Sequence, residues 1–145
     1  MIKFFKTLAI LILLVLNCGC ATHSKNQSEQ ILIENAALGD ISKKSDPYAI
    51  TNVSVSGKNL KISIIFSGDC NEHNFKLIGS EAISKSLPPQ RSIVLIHESN
   101  GDACKKLVEK TLTYNIEAFS YQKETGSTIL LNLSGWKDRI EFIYP

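Results

Sequence analysis

The sequence predicts an all-β protein, an antiparallel β-sandwich with at most one short helix. Three observations lead there. After Tyr48, apolar residues recur with a period of two along several stretches, the spacing of strands with one buried face. Turn-forming residues interrupt those stretches every ~8–12 residues, the rhythm of sandwiches and barrels. No strand pattern alternates with a long helical one, so a parallel α/β fold and its ligand crevice are not expected.

Residues 1–20 read as a secretory leader. Lys3 and Lys6 give a basic start, and Leu8 to Leu16 form an unbroken apolar run. That run is short for a transmembrane helix, which needs roughly 20 apolar residues, and suits the apolar part of a cleaved signal, about 7–15 residues. Cys20 follows directly, with Gly19 before it and Ala21 after it. This arrangement resembles the lipobox of bacterial lipoproteins, in which the cysteine thiol receives a diacylglycerol. Asn17 stands where the lipobox prefers an apolar residue, and Cys18 lies inside the motif. The resemblance implies lipidation, including palmitate, at Cys20. It places the mature chain in the cell envelope, with the membrane as a partner through its N-terminal lipid. Ala21 and Thr22 bring no aspartate after the anchor, which favours the outer membrane in a Gram-negative cell.

The leader also accounts for the charge. The chain has 16 basic and 14 acidic residues, and the leader holds two lysines and no acid. The remainder is therefore balanced, and its lysines are spread among acids. A nucleic-acid partner is not expected.

Residues 21–47 form a tether and an ambiguous segment. Residues 21–30 are polar and aperiodic. Ile31 and Ile33 alternate as in a strand, whereas Glu34 to Leu38 suit one helical turn before Gly39. Asp46-Pro47 then punctuates. Residues 48–145 form the sandwich domain. Ile50, Val53 and Val55 lead into Ser56-Gly57-Lys58-Asn59, and Leu60, Ile62, Ile64 and Phe66 alternate beyond it. Two alternating runs about a short glycine-containing turn predict a hairpin. His73, Phe75 and Leu77 share one face of the next strand. After Gly79 to Gln90, a long irregular connection suited to a binding loop, Arg91 to His97 forms a strongly apolar strand. Ser99-Asn100-Gly101-Asp102 is a loop whose aspartate can cap a short helix with Cys104 in its first turn. Thr111 to Ile116, Ser127 to Leu133 and Arg139 to Tyr144 supply further strands, rich in β-branched and aromatic residues.

Four residues form the candidate site: Cys70, His73, His97 and Cys104. Parity puts His73 with Phe75 and Leu77, and His97 with Ile93 and Leu95. If their strands pair antiparallel, both histidines lie at one end of the sheet. The loops carrying the cysteines lead to the same end. Two readings stay open. Export favours a Cys70–Cys104 disulfide, which by the chain-entropy model stabilises by roughly 3–4 kcal/mol. The alternative is zinc held by Cys70, His73, His97 and Cys104, since two thiolates and two imidazoles suit a tetrahedral ion. On the first reading no cofactor is needed; on the second, zinc is the cofactor. No phosphate loop, HExxH or GxSxG motif occurs, so no catalytic residue is assigned and the chain does not read as an enzyme. Trp136, in a turn, reads as a lid folded on the core in preference to an exposed ligand contact.

The stretch Phe66-Ser67-Gly68-Asp69-Cys70-Asn71-Glu72-His73-Asn74-Phe75, with Leu95-Ile96-His97 and Asp102-Ala103-Cys104 after it, resembles a group of small uncharacterised bacterial lipoproteins. These carry a Ser-Gly-Gly-Cys-x-x-His-x-Phe run, a later Leu-x-His and a second cysteine. The resemblance spans roughly residues 48–120 and departs at Asp69, where the group has a second glycine. It implies a lipoprotein and no particular activity. The expected role is a disulfide-stapled binding or structural module of the envelope, with an envelope protein or a small ligand as its partner. The competing expectation is a zinc-binding envelope protein.

Overall fold

The structure is a computed structural model that describes residues 32–145. The leader, Cys20 and residues 21–30 lie outside the described residues. Nine strands form two packed sheets: β1 (Ile33–Asn35), β2 (Ala37–Leu38), β3 (Ala49–Ser56), β4 (Asn59–Gly68), β5 (Asn74–Gly79), β6 (Gln90–Glu98), β7 (Lys106–Asn115), β8 (Thr128–Leu133) and β9 (Ile140–Ile143). One sheet runs β1-β7-β4-β3, the other β2-β5-β6-β8-β9. Among the described residues the one short helix is a 3-10 turn at Glu117–Phe119. The all-β sandwich expected from the sequence is the observed fold.

The period-two reading holds because each sheet buries one face. In β4, Leu60, Ile62, Ile64 and Phe66 point inward and are buried. They meet Phe75 and Leu77 of β5, Ile93 and Leu95 of β6, and Ile129, Leu131 and Phe142 of the β8–β9 hairpin in one core. Gly57, at φ 55°, makes the two-residue turn between Ser56 and Asn59 that sets the β3–β4 register.

Three pairings are parallel: β1 with β7, β2 with β5, and β6 with β8. The sheets are therefore mixed. After β6 the chain crosses to the other sheet for β7, then crosses back for β8. Two reversals leave β8 running in the direction of β6.

The ambiguous segment before Asp46 is strand and not a helical turn. At Ala36 the chain steps from the edge of one sheet to the edge of the other. The Ala36 amide donates to the Asn115 carbonyl at 2.9 Å, and the Gly39 amide to the Gly79 carbonyl at 2.9 Å. The ambiguous part of that segment thus holds β1 and β2. Free edges of β7 and β5 capture it, and local propensity does not show that.

The expected helix after Asn100-Gly101 is absent. Asn100 and Gly101 both take positive φ, 51° and 73°, and the Asp102 amide donates to Ser99 O at 3.1 Å. Asn-Gly favours this tight turn over a helix start. At the opposite end of β6, the buried Arg91 donates from Nε to the Phe119 carbonyl at 3.1 Å and also to the Ser80 carbonyl. It ties the 3-10 turn to the chain leaving β5.

Candidate functional site

β5 and β6 pair antiparallel, Phe75 opposite His97. That brings His73, just before β5, beside His97 near the end of β6. The two rings stack with centroids 5.0 Å apart. Phe75 stacks on His97 at 4.5 Å, and Phe66 lies 4.6 Å from His73. The loops after β4 and β6 meet at this end and are joined by a Cys70–Cys104 disulfide, with Cα atoms 6.0 Å apart. All four candidate residues are therefore brought together, and the sulfurs are bonded to each other.

The polar groups form one continuous chain. His97 Nδ1 lies 3.3 Å from the Pro47 carbonyl, His97 Nε2 lies 2.7 Å from His73 Nδ1, and His73 Nε2 lies 3.0 Å from Asp102 Oδ2. Both ends of this chain, a carbonyl and a carboxylate, only accept. Three links between two rings then need three ring protons, whereas two neutral imidazoles carry two.

Asp102, which the sequence offered only as a helix cap, is a central member of the site. Its side chain is wholly buried. Oδ2 accepts from the Cys70 amide at 2.8 Å and the Asn71 amide at 3.0 Å, and Oδ1 accepts from the Cys104 amide at 2.8 Å. The Asn71 amide foremost, then the Cys104 amide and the His73 ring, hold its carboxyl well below the usual carboxylate range, against the opposing effect of burial. Asp102 thus pins both cysteine loops independently of the disulfide. Burial foremost, then the neighbouring His73, holds His97 below the ordinary imidazole value.

The segment before β3 closes the cluster from outside. Ser45 Oγ accepts from the His97 amide at 2.9 Å, the Asp46 amide donates to His97 O at 2.8 Å, and Asp46 Oδ2 accepts from the Ser99 amide at 2.7 Å. Gly68 makes room on the inner side. A Cβ there would overlap the His73 ring and lie 3.1 Å from Asp102 Oδ2. Asp69 next to it takes φ 105°, a conformation that favours glycine.

Chemically, this is an internal lock. The ring nitrogens face each other, Asp102 and a backbone carbonyl, and no hydroxyl or thiol completes a nucleophile–base couple among the described residues. Of the four residues in the zinc reading, the two cysteines share a cluster of donor atoms with Asp102, within 4.8 Å of one another. The missed signals were short polar residues in loops: Ser45, Asp46 and Asp102. Only the spacing of Asp102, two residues before Cys104 and after Asn-Gly, hinted at an Asx-type turn. Trp136 is half-buried and packs against the core, as expected of a lid.

No family model matches the chain, and no curated protein matches it. Solved structures share its fold. A NigD-like immunity protein from Bacteroides caccae is similar with a TM-score of 0.56 and 12% identity, over 77% of this chain. A protein of unknown function, DUF1344, from Bacteroides vulgatus is similar with a TM-score of 0.54 and 16% identity, over 79%. The match spans 64% and 58% of those two chains. At these identities the likeness is one of fold: the chain shares the small β-domain architecture of these proteins.

Proposed function

We propose that the chain is a cell-envelope lipoprotein, tethered through a lipid on Cys20, whose stapled β-domain works as a binding or structural module. The observation that carries this reading is the Cys70–Cys104 disulfide. Cys70 is exposed, and a cross-link open to solvent persists in an oxidising compartment and not in a reducing cytoplasm. The leader pattern and Cys20 supply the route there and the anchor. No helix among the described residues is long and apolar enough to cross a membrane.

The test is metabolic labelling with an alkyne palmitate analogue. The expected result is a labelled mature chain in the membrane fraction and no label on Cys20→Ala. A Cys20→Ala chain that still carries label would remove the anchor from the proposal.

A zinc-binding reading is favoured by the donor cluster of Cys70, Asp102 and Cys104. It requires the disulfide to be reduced. Thiol titration of the unreduced chain separates the two: no reactive thiol at these positions supports the staple, and two thiols with stoichiometric zinc support the metal.

A further inference from the structure

A cleft of about 460 Å³ opens where β8 leaves β6. Ser92 pairs with Asn132 and Ile93 with Leu133; the chain then turns away through Ser134 and Gly135, the latter at φ 81°, to begin β9. β6 runs on, so the sheet has a notch. Val94 lines it from β6, Ile41 lines it from the segment before β3, and the half-buried Trp136 lines it from the β8–β9 turn. The Trp136 amide donates to Leu133 O at 3.1 Å, which fixes that turn.

The polar lining is unused. Ser92, Ser134, Asp138 and Arg139 line the cleft, and their side chains make no hydrogen bond or ion pair among the described residues. Asn132 donates from Nδ2 to Gln90 Oε1 at 3.3 Å, which leaves its Oδ1 free to accept. The cleft thus sets a tryptophan and aliphatic residues beside donors and acceptors of both charges.

We infer that this cleft binds a saccharide of one or two rings. A pyranose carries an apolar C–H face, which suits an indole, and a rim of hydroxyls that both donate and accept. Carboxylate, carboxamide, guanidinium and serine hydroxyl together can satisfy such a rim. An acyl chain would bury the same groups without partners, at a cost. A phosphate-rich ligand would meet Asp138 beside Lys137 and Arg139, a rim of mixed sign and not a cationic cradle. The volume lies in the range of small-ligand sites, about 300–1,000 Å³. This inference rests on the binding-module reading above and gives it a site and a ligand class.

Trp136 is the single tryptophan of the chain, so its fluorescence reports on this cleft alone. The experiment uses the full chain, disulfide intact, in a detergent without a sugar headgroup. Glucose, galactose, N-acetylglucosamine, maltose and chitobiose are titrated to roughly 20 mM, within the weak-affinity range of small ligands, and acrylamide quenching of Trp136 is read. The expected result is protection by at least one sugar. Asp138→Ala should weaken that protection about fivefold or more, the loss of one charge-assisted hydrogen bond. Tyr121→Ala, exposed and not lining the cleft, should leave it unchanged, and thermal melts confirm that each variant is folded. Protection by no sugar, or protection indifferent to Asp138→Ala, overturns the inference. A pool of envelope peptides that protects Trp136 where sugars do not overturns the saccharide class and leaves a binding module standing. Protection by neither overturns both ligand readings and leaves palmitate labelling to judge the anchor.

Discussion

Replacing both Cys70 and Cys104 by alanine should lower stability by about 4 kcal/mol and leave the fold intact. The cysteines are 34 residues apart, and the chain-entropy model for a loop of that length gives about 13 cal/mol/K, or about 4 kcal/mol at room temperature. The fold should survive because Asp102 holds the Cys70, Asn71 and Cys104 amides without the sulfurs. Urea unfolding followed by circular dichroism measures the effect. With a slope of about 1.5 kcal/mol/M, the midpoint should fall by roughly 2.5 M. A shift under about 0.5 M would mean that the cross-link does little to restrict the unfolded chain. Loss of the native spectrum at zero urea would mean that Asp102 is no independent lock.

Acid should weaken the domain in two steps. His97 is held below its ordinary value, so the unfolded chain takes up that proton first, and stability declines as pH falls below about 6.5. Asp102 is held lower still; its contribution is complete above the ordinary carboxyl value and fades as pH falls through about 4 and below. Urea midpoints from pH 8 to 3 should show both steps, and Asp102→Asn should shrink the lower one, to which Asp46 and Glu117 also contribute because hydrogen bonds hold both low; an unchanged acid limb in that variant would contradict the assignment. Gly68→Ala should cost about 1–3 kcal/mol by overpacking, with the His73–Asp102 contact broken in ring 15N shifts; a neutral effect would show that the ring has room. Tyr114 is buried with a hydroxyl that finds no partner among the described residues, so Tyr114→Phe should raise stability by about 1 kcal/mol, read as a higher melting temperature.

The long strands are legible because a sheet packed on one side imposes alternation over enough residues to be counted, as along Leu60 to Phe66. The short edge strands are not: three residues in β1 and two in β2 cannot show a period, and distant partners decide their conformation. The parallel pairing of β6 with β8 depends on which sheet the intervening strand joins, a property of topology and not of local sequence. The gathering of His73 and His97 follows from parity and one antiparallel pairing. Asp102 stays hidden because its meaning lies in amides about 30 residues away, and a lone aspartate after Asn-Gly reads equally as a cap or a solvated charge.

The step at Ala36 has a consequence for neighbours. An unsatisfied strand border invites another polypeptide to dock by hydrogen bonding, a hazard that rises when molecules are concentrated on a two-dimensional surface. Here a single stretch of backbone covers the Thr113–Asn115 end of β7 and the Ile78–Gly79 end of β5, and neither covering strand is long enough to template further growth. The rest of each edge, Lys106–Leu112 of β7 and Asn74–Leu77 of β5, has no outer strand partner among the described residues, and is where such docking would begin.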